Sequence, residues 1–159
     1  MPDPDLRQVI EALHRGDFRC QTVILLLAPE QLPMAPEMAA RHGIGYVDFV
    51  ERALRSLPAN TRFVQFTGSS LFGILDAVAQ ETDGARCVLL YNLDLGLARL
   101  TAEERHSLWG RLFRDIPYRP RALIIAMPAG AEHLLPRRED LEEWGRCGRV
   151  VSLVASEDD

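Results

Sequence analysis

The chain has 159 residues, 47% of them hydrophobic and 26% charged, which is typical of one folded domain with a single core. No apolar run approaches the roughly 20 residues of a membrane-spanning helix, and the formal charge of −5 argues against general nucleic-acid binding. The sequence starts with acidic and proline-rich residues, unlike the basic start of a signal peptide, so we expect a cytoplasmic protein without membrane contact.

Apolar segments with strand or helix patterns alternate in the first half of the chain. The predicted elements are a helix at 5–15, a strand at 22–28, a helix at 37–42, a strand at 45–49 and a helix at 49–56. The strand at 22–28 is a continuous apolar run, which is typical of a strand buried on both faces.

The second half repeats this alternation. The predicted elements are strands at 62–67, 87–91, 122–127 and 150–154, and helices at 71–80, 101–115 and 139–144. The helix at 101–115 has the clearest start, because Thr101 and Glu104 have the spacing of a capping box.

Strands that alternate with amphipathic helices predict an α/β fold, a three-layer domain with a mostly parallel central sheet. We predict a single domain over residues 1–159: an N-terminal helical segment at 1–20, an α/β core at 21–154 and a frayed tail at 155–159. Ligands of such folds bind at the carboxyl ends of the strands, here after Leu27, Leu90, Ala126 and Phe66.

An eight-residue loop follows the first strand, at the place where nucleotide-binding α/β domains carry a phosphate-binding loop. Its residues are Ala28, Pro29, Glu30, Gln31, Leu32, Pro33, Met34 and Ala35. The segment resembles the Walker A loop of P-loop NTPases of the AAA-like or STAND-like type, in which glycines, a Lys and a Ser or Thr hold phosphate and magnesium. Only Pro29 agrees with that pattern. Met34 stands at the Lys position and Ala35 at the hydroxyl position, so we predict that the chain uses no nucleotide cofactor.

The apolar strand at 87–91 resembles the Walker B strand of the same family. Tyr91 stands where that family has its magnesium-binding Asp, and Asp94 follows three residues later. We predict that Tyr91 is mainly buried and that its hydroxyl bonds to a loop. The alternative interpretation is an unrelated α/β domain that shares only the architecture.

Within this class the chain most resembles the small P-loop subunit of BREX-type bacterial phage-defence islands. The likeness lies in the chain length, the segment 45–57 and the segment 88–94, followed by a long helix and an apolar strand. The resemblance implies a non-catalytic scaffold or regulatory subunit that holds protein partners in a larger complex, and it is compatible with a homo-oligomer.

An enzyme or a small-ligand or anion-binding domain is the alternative function, with Asp94, Asn92 and Ser69 as candidate catalytic or binding residues. Asp94 and Asn92 follow a strand, and Ser69 and Ser70 precede a helix whose free N–H groups favour anions. Each also has a structural interpretation, because Asp and Ser commonly cap helices. We expect Leu32 and Met34 to fill the space above the first strand if the scaffold hypothesis holds.

Basic residues concentrate near the helix at 101–115. All 18 basic residues are Arg, and five of them lie close together in sequence with Tyr118: Arg105, Arg111, Arg114, Arg119 and Arg121. We predict that Arg111, Arg114, Arg119 and Arg121 point outward and contact an acidic partner or phosphate, with a solvated face as the alternative. DNA contact is expected only through this patch or through a partner.

Metal and disulfide sites are not predicted. The four His residues lie in different elements without a metal-binding spacing. The three Cys residues, Cys20, Cys87 and Cys147, are widely spaced and are predicted to be buried, reduced thiols, with a reactive thiolate as the alternative.

Overall fold

The computed structural model describes residues 5–55 and 66–154, whose strands form one parallel sheet. The strands are β1 (Thr22–Leu27), β2 (Gly45–Asp48), β3 (Cys87–Tyr91), β4 (Ala122–Pro128) and β5 (Val150–Ser152). Their order across the sheet is β2-β3-β4-β1-β5, and each pair of neighbours is parallel. The predicted α/β class with a parallel central sheet is confirmed.

Helices cover both faces of this sheet. They are α1 (Leu6–Arg15), α2 (Ala35–Arg41), α3 (Phe49–Arg55), α4 (Gly68–Gln80), α5 (Leu93–Leu97), α6 (Ala102–Arg114) and α7 (Arg138–Arg146), with 3₁₀ turns at Leu32–Met34 and Glu132–Leu134.

Alternate side chains of the buried strands define two core layers. Val23 and Leu25 of β1 pack with α1 and α2 on one face, whereas Ile24 packs with α3 to α7 on the other. Successive side chains of a strand point to opposite faces, so a strand covered on both sides reads as an unbroken apolar run. The result is three layers, with α1 packed into the same core as the sheet.

Several boundaries differ from the sequence-based expectations. Helix α5 was not predicted, and α4 begins at Gly68, three residues before the predicted start. Of the strand expected at 62–67, residues 62–65 lie outside the described residues, as do Ser56 and the ends expected to fray, 1–4 and 155–159. Phe66 and Thr67 are irregular.

The chain order fixes where a ligand crevice would form in this sheet. The connection that leaves β1 passes through α2 on one face, whereas the connection that leaves β4 passes through α7 on the opposite face. β1 and β4 are neighbours, so their connections diverge and open a crevice at the carboxyl ends of these two strands.

Among residues 5–55 and 66–154, no helix is long and apolar enough to cross a membrane.

Candidate functional site

Hydrogen bonds join the ends of β5, β1 and β4 at the carboxyl edge of the sheet. The side chain of Gln31 accepts a hydrogen bond from the Ala28 N–H at 2.8 Å and donates one to the Leu153 carbonyl at 2.8 Å. The Ala129 N–H donates to the Leu27 carbonyl at 2.9 Å, which joins the ends of β4 and β1. The Ala28 N–H, at the start of the Walker A-like loop, is therefore hydrogen-bonded to the side chain of Gln31 in the same loop.

The loop itself folds as a tight turn followed by helix. The Gln31 N–H donates to the Ala28 carbonyl at 2.9 Å, and Leu32–Met34 forms a 3₁₀ turn that runs directly into α2 at Ala35. Pro29 and Glu30 are exposed in the turn, and Pro33 occupies the first turn of helix, where its missing N–H costs little.

The expectation about which side chains fill the space above β1 was half right. Leu32 packs against the core layer of α1 and α2, but Met34 is 43% exposed and fills nothing. The Gln31 side chain instead joins the loop after β1 to the residue after β5. Sequence reasoning missed it because its second partner, Leu153, lies at the other end of the chain.

A polar pair joins the ends of β2 and β3. Asn92 has a left-handed backbone with φ of 69°, and its Nδ2 donates to the Asp48 Oδ2 at 3.1 Å. The other carboxylate oxygen of Asp48 accepts from the Val50 N–H at 2.9 Å, so Asp48 also caps α3. Asp48 was not singled out from the sequence, although an acidic residue before the helical run at 49–56 is a cap signal.

Tyr91, at the end of β3, is partly buried, with most of its surface covered, which agrees with the prediction that it is mainly buried. Its ring packs beside Tyr46, with centroids 6.1 Å apart, on the layer of α1 and α2. The described residues supply no hydrogen-bond partner for the Tyr91 hydroxyl, so the expected bond to a loop is wrong within that part of the chain. Burial raises the pKa of the neighbouring Tyr46, assisted by the charge of Asp48.

Asp94 lies in the first turn of α5 and is half-buried. Burial raises the pKa of this carboxyl group. No hydrogen bond or ion pair connects it with Asn92 or Ser69 in the described residues, so the three candidate residues do not form one constellation. Neither Asp94 nor Asn92 caps α5 with its side chain.

The N-terminus of α4, the proposed anion site, is occupied by a carboxylate of the protein itself. The Gly68 N–H donates to the Glu104 Oε2 at 3.1 Å, and Thr67 and Ser70 form a capping box. The helix cap is thus Thr67 and not Ser69, which is exposed. The hydrogen bonds from the Gly68 and Thr101 N–H groups hold the pKa of Glu104 below its usual range.

The arginines expected to form an outward patch have four different environments. Arg114 is exposed, and the Arg111 guanidinium lies over the Phe72 ring at 3.7 Å. Arg119 pairs with Asp76 at 2.7 Å. Arg121 is buried and pairs with Glu81 at 3.0 Å, so its outward placement was wrong. Arg119 and Arg121 lie about 40 positions from their acidic partners in the sequence, so these ion pairs could not be predicted from local patterns.

Arg105 also has an internal role. It donates to the carbonyl of Leu97, the last residue of α5, at 3.2 Å and to the Leu100 carbonyl that follows at 2.6 Å. Such contacts satisfy free carbonyls where a helix ends.

The cysteines divide into buried and exposed thiols. Cys20 and Cys87 are buried as expected, and burial raises the pKa of Cys87 to about 11. Cys147 is exposed, which corrects the prediction of three buried thiols. In the described part of the chain, no three His, Cys, Asp or Glu side chains come together as metal ligands would.

Two positions of this fold are typical anion sites, the loop after β1 and the start of α4. At each of them a backbone N–H is instead bonded to a side chain of the same protein. No family model, no curated protein and no solved structure matches the chain. The assignment of function therefore rests on the residues and their contacts.

Proposed function

We propose that this protein is a non-catalytic, P-loop-like scaffold or regulatory subunit that holds protein partners in a larger cytoplasmic complex. The observation that carries the proposal is the Gln31 side chain, which takes the Ala28 N–H at the start of the loop after β1 and the Leu153 carbonyl after β5. A phosphate in a P-loop is bound by backbone N–H groups of that loop and by a Lys, and this chain contains no Lys.

The charge of the loop supports the same proposal. Glu30 is exposed at the tip of the turn, so a negative charge stands where the phosphates of a nucleotide would approach. Met34 and Ala35 supply neither a cation nor a hydroxyl for magnesium. The resemblance to the small P-loop subunit of BREX-type islands supports the further proposal that this complex acts in bacterial phage defence.

The exposed Arg114 is the arginine best suited to a partner. It carries no ion pair within the described residues, and Arg suits contacts with carboxylate or phosphate that lose water on binding. Arg111 is a poorer probe, because its stacking on Phe72 makes its loss a folding defect as well as a surface change.

The experiment is affinity capture of the tagged chain from native extract, with quantification of each co-purifying protein. Arg114→Glu should reduce recovery of the partner while the thermal midpoint changes little, since exposed charges contribute little to folding. Arg86→Glu, which reverses an exposed charge in the loop before β3, is the matched control. Equal recovery with all three chains would remove Arg114 from the proposed contact surface.

The second candidate is an enzyme or small-ligand binder, and the raised pKa of the half-buried Asp94 is the observation that favours it. Asp94→Asn should then abolish any activity or ligand binding that the wild-type chain displays while leaving its unfolding midpoint unchanged.

A further inference from the structure

A groove of about 480 Å³ lies between α6 and α7. Residues 106–114 form its α6 wall and residues 140–144 its α7 wall. Both helices pack on the face of the sheet opposite α1 and α2. The groove includes the exposed Arg114, the arginine best suited to a partner, so its other residues indicate what kind of partner fits beside that side chain.

The floor of the groove is aromatic and fixed in place. The rings of Trp109 and Trp144 meet edge to face with their centroids 6.0 Å apart, and the Phe113 ring lies 5.2 Å from Trp144. The Trp109 indole N–H donates to the Leu134 carbonyl at 2.9 Å. Rings held in this way lose little conformational freedom when an apolar side chain packs on them.

Gly110 leaves the middle of the α6 wall without a side chain. A Cβ atom at this position would have the Arg114 guanidinium as its nearest neighbour, at 3.3 Å, and within the described residues no atom of another element lies closer than 4.0 Å. Packing does not require this glycine, unlike Gly96, whose Cβ would lie 2.8 Å from the Phe49 ring. Glycine is also a weak helix former. The gap at Gly110 is therefore open to a side chain from another molecule.

The acidic residues of the α7 wall have partners within the protein. The Glu143 carboxylate accepts a hydrogen bond from the Arg146 Nε at 3.1 Å, and the Asp140 carboxylate lies 3.4 Å from the His106 Nδ1. With His106 counted as neutral, Asp140 is the one acid of the groove that no arginine of the described residues offsets.

The α6 wall carries two cations that have no carboxylate partner among the described residues. Arg111 stacks on the Phe72 ring, and the Arg114 guanidinium lies over Gly110. These two charges exceed the single charge of Asp140, so the groove is net positive.

Carboxylates on the occupant complement this charge. A nucleic acid carries a charge at every residue, and some of its phosphates would lie against Asp140 and Glu143. A protein segment can instead carry acids only where Arg111 and Arg114 lie.

We propose that the groove between α6 and α7 binds an acidic segment of the protein partner, with one apolar side chain over Gly110 and carboxylates against Arg111 and Arg114. This site rests on the scaffold function proposed above and adds to it the surface and the chemistry of the partner. An apolar side chain flanked by ion pairs is the arrangement of a typical interface centre with its polar rim.

Gly110→Leu fills the groove without changing any charge. It should lower the recovery of the partner from native extract at least about tenfold, because the leucine occupies the place of the partner's central side chain. The thermal midpoint should not fall, since leucine forms helix better than glycine. Gly145→Leu is the matched control, because Gly145 is an exposed glycine of α7 with open space around it outside the groove. Its recovery of the partner should equal that of wild type.

Photo-crosslinking identifies the occupant directly. The amino acid p-benzoylphenylalanine in place of Ser107, an exposed residue of the α6 wall, should crosslink to the partner in extract. Mass spectrometry of the crosslinked peptide should show a segment with several Asp or Glu residues. The same amino acid in place of Arg41, which is exposed on α2 across the sheet, should not yield this peptide. A crosslinked peptide without acidic residues, a nucleic acid or a second copy of this chain would overturn the proposal.

The groove and the scaffold function fail in different ways. If wild type and Gly110→Leu recover the same partner equally and position 107 gives no crosslink to it, the groove is not the contact surface, whereas the scaffold function stands. If wild type recovers no protein above an untagged control, the scaffold function is wrong, and the groove proposal falls with it.

Discussion

Gln31 joins the loop after β1 to the residue after β5 with two hydrogen bonds that no other described side chain duplicates. Gln31→Ala leaves the partly buried Ala28 N–H and Leu153 carbonyl without these partners, so we expect a loss of about 1–3 kcal/mol in the free energy of unfolding. Urea unfolding measures this loss. Gln80→Ala, which truncates an exposed Gln on α4, should change the free energy by less than about 0.5 kcal/mol. Equal effects of the two substitutions would mean that the Gln31 hydrogen bonds do not stabilise this loop.

Glu104 makes the stability depend on pH. Its pKa is lowered in the folded protein, mainly by the hydrogen bond from the Gly68 N–H. Its contribution to the free energy of unfolding is therefore present above the unfolded pKa and is lost as pH falls through the lower folded pKa. We expect Glu104→Gln to weaken the fall of the urea midpoint between neutral pH and about pH 3, because Gln does not titrate.

The control for this pH dependence is Glu103→Gln. Glu103 is the exposed neighbour in the same helical turn, and its side chain accepts no hydrogen bond from the described residues. Glu103→Gln should leave the fall of the urea midpoint at acidic pH as steep as in wild type. Two curves of the same shape for Glu104→Gln and wild type would mean that Glu104 does not hold the start of α4.

At the scale of elements, Arg149 joins β5 to β1 and to the C-terminus of α6. Its guanidinium donates to the Thr22 carbonyl at 2.8 Å and to the Phe113 carbonyl at 3.1 Å. The carbonyl end of a helix favours a cation, which explains how this charge is buried without a carboxylate. Burial lowers the pKa of Arg149 from the usual arginine range.

Arg149→Met should therefore lower the free energy of unfolding by about 3 kcal/mol or more, since hydrogen bonds to charged groups contribute about 1.5–3 kcal/mol each. Arg149→Lys should recover only part of this loss, because an ammonium group cannot reproduce the planar fork of donors. Chemical unfolding of both variants measures the difference. A Met variant as stable as wild type would show that α6 and β5 do not need this link.

Most elements could be predicted from local sequence, and the exceptions have local causes. The box formed by Thr101 and Glu104 marked the start of α6, because both capping partners lie within one turn. Helix α5 has five residues with Gly96 among them, too short for a periodic pattern to emerge. Thr67 was assigned to a strand and so its role as the cap of α4 was missed.

The candidate site was harder to predict because its contacts join distant parts of the chain. The sequence showed that the loop 28–35 lacks the P-loop residues, but not that Gln31 would bind Leu153 across 122 positions. Likewise Glu104 was predicted as the cap of its own helix, while its bond to Gly68 depends on how α4 packs on α6. Local rules predict caps and strands, whereas these contacts need the tertiary arrangement.

For the whole molecule, the central claim is that the crevice at the ends of β1 and β4 takes no nucleotide. Amide ¹H–¹⁵N spectra of the full chain, titrated with ATP and magnesium and then with GTP and magnesium, test it most directly. We predict no saturable shift at the amides of Ala28, Gln31 and Leu32, and no rise of the thermal midpoint. Bound nucleotide at a hundredfold excess over its Kd would add about 2.7 kcal/mol, or roughly 5–10 °C for a domain of this size. Saturable shifts at these amides together with such a rise would contradict the account.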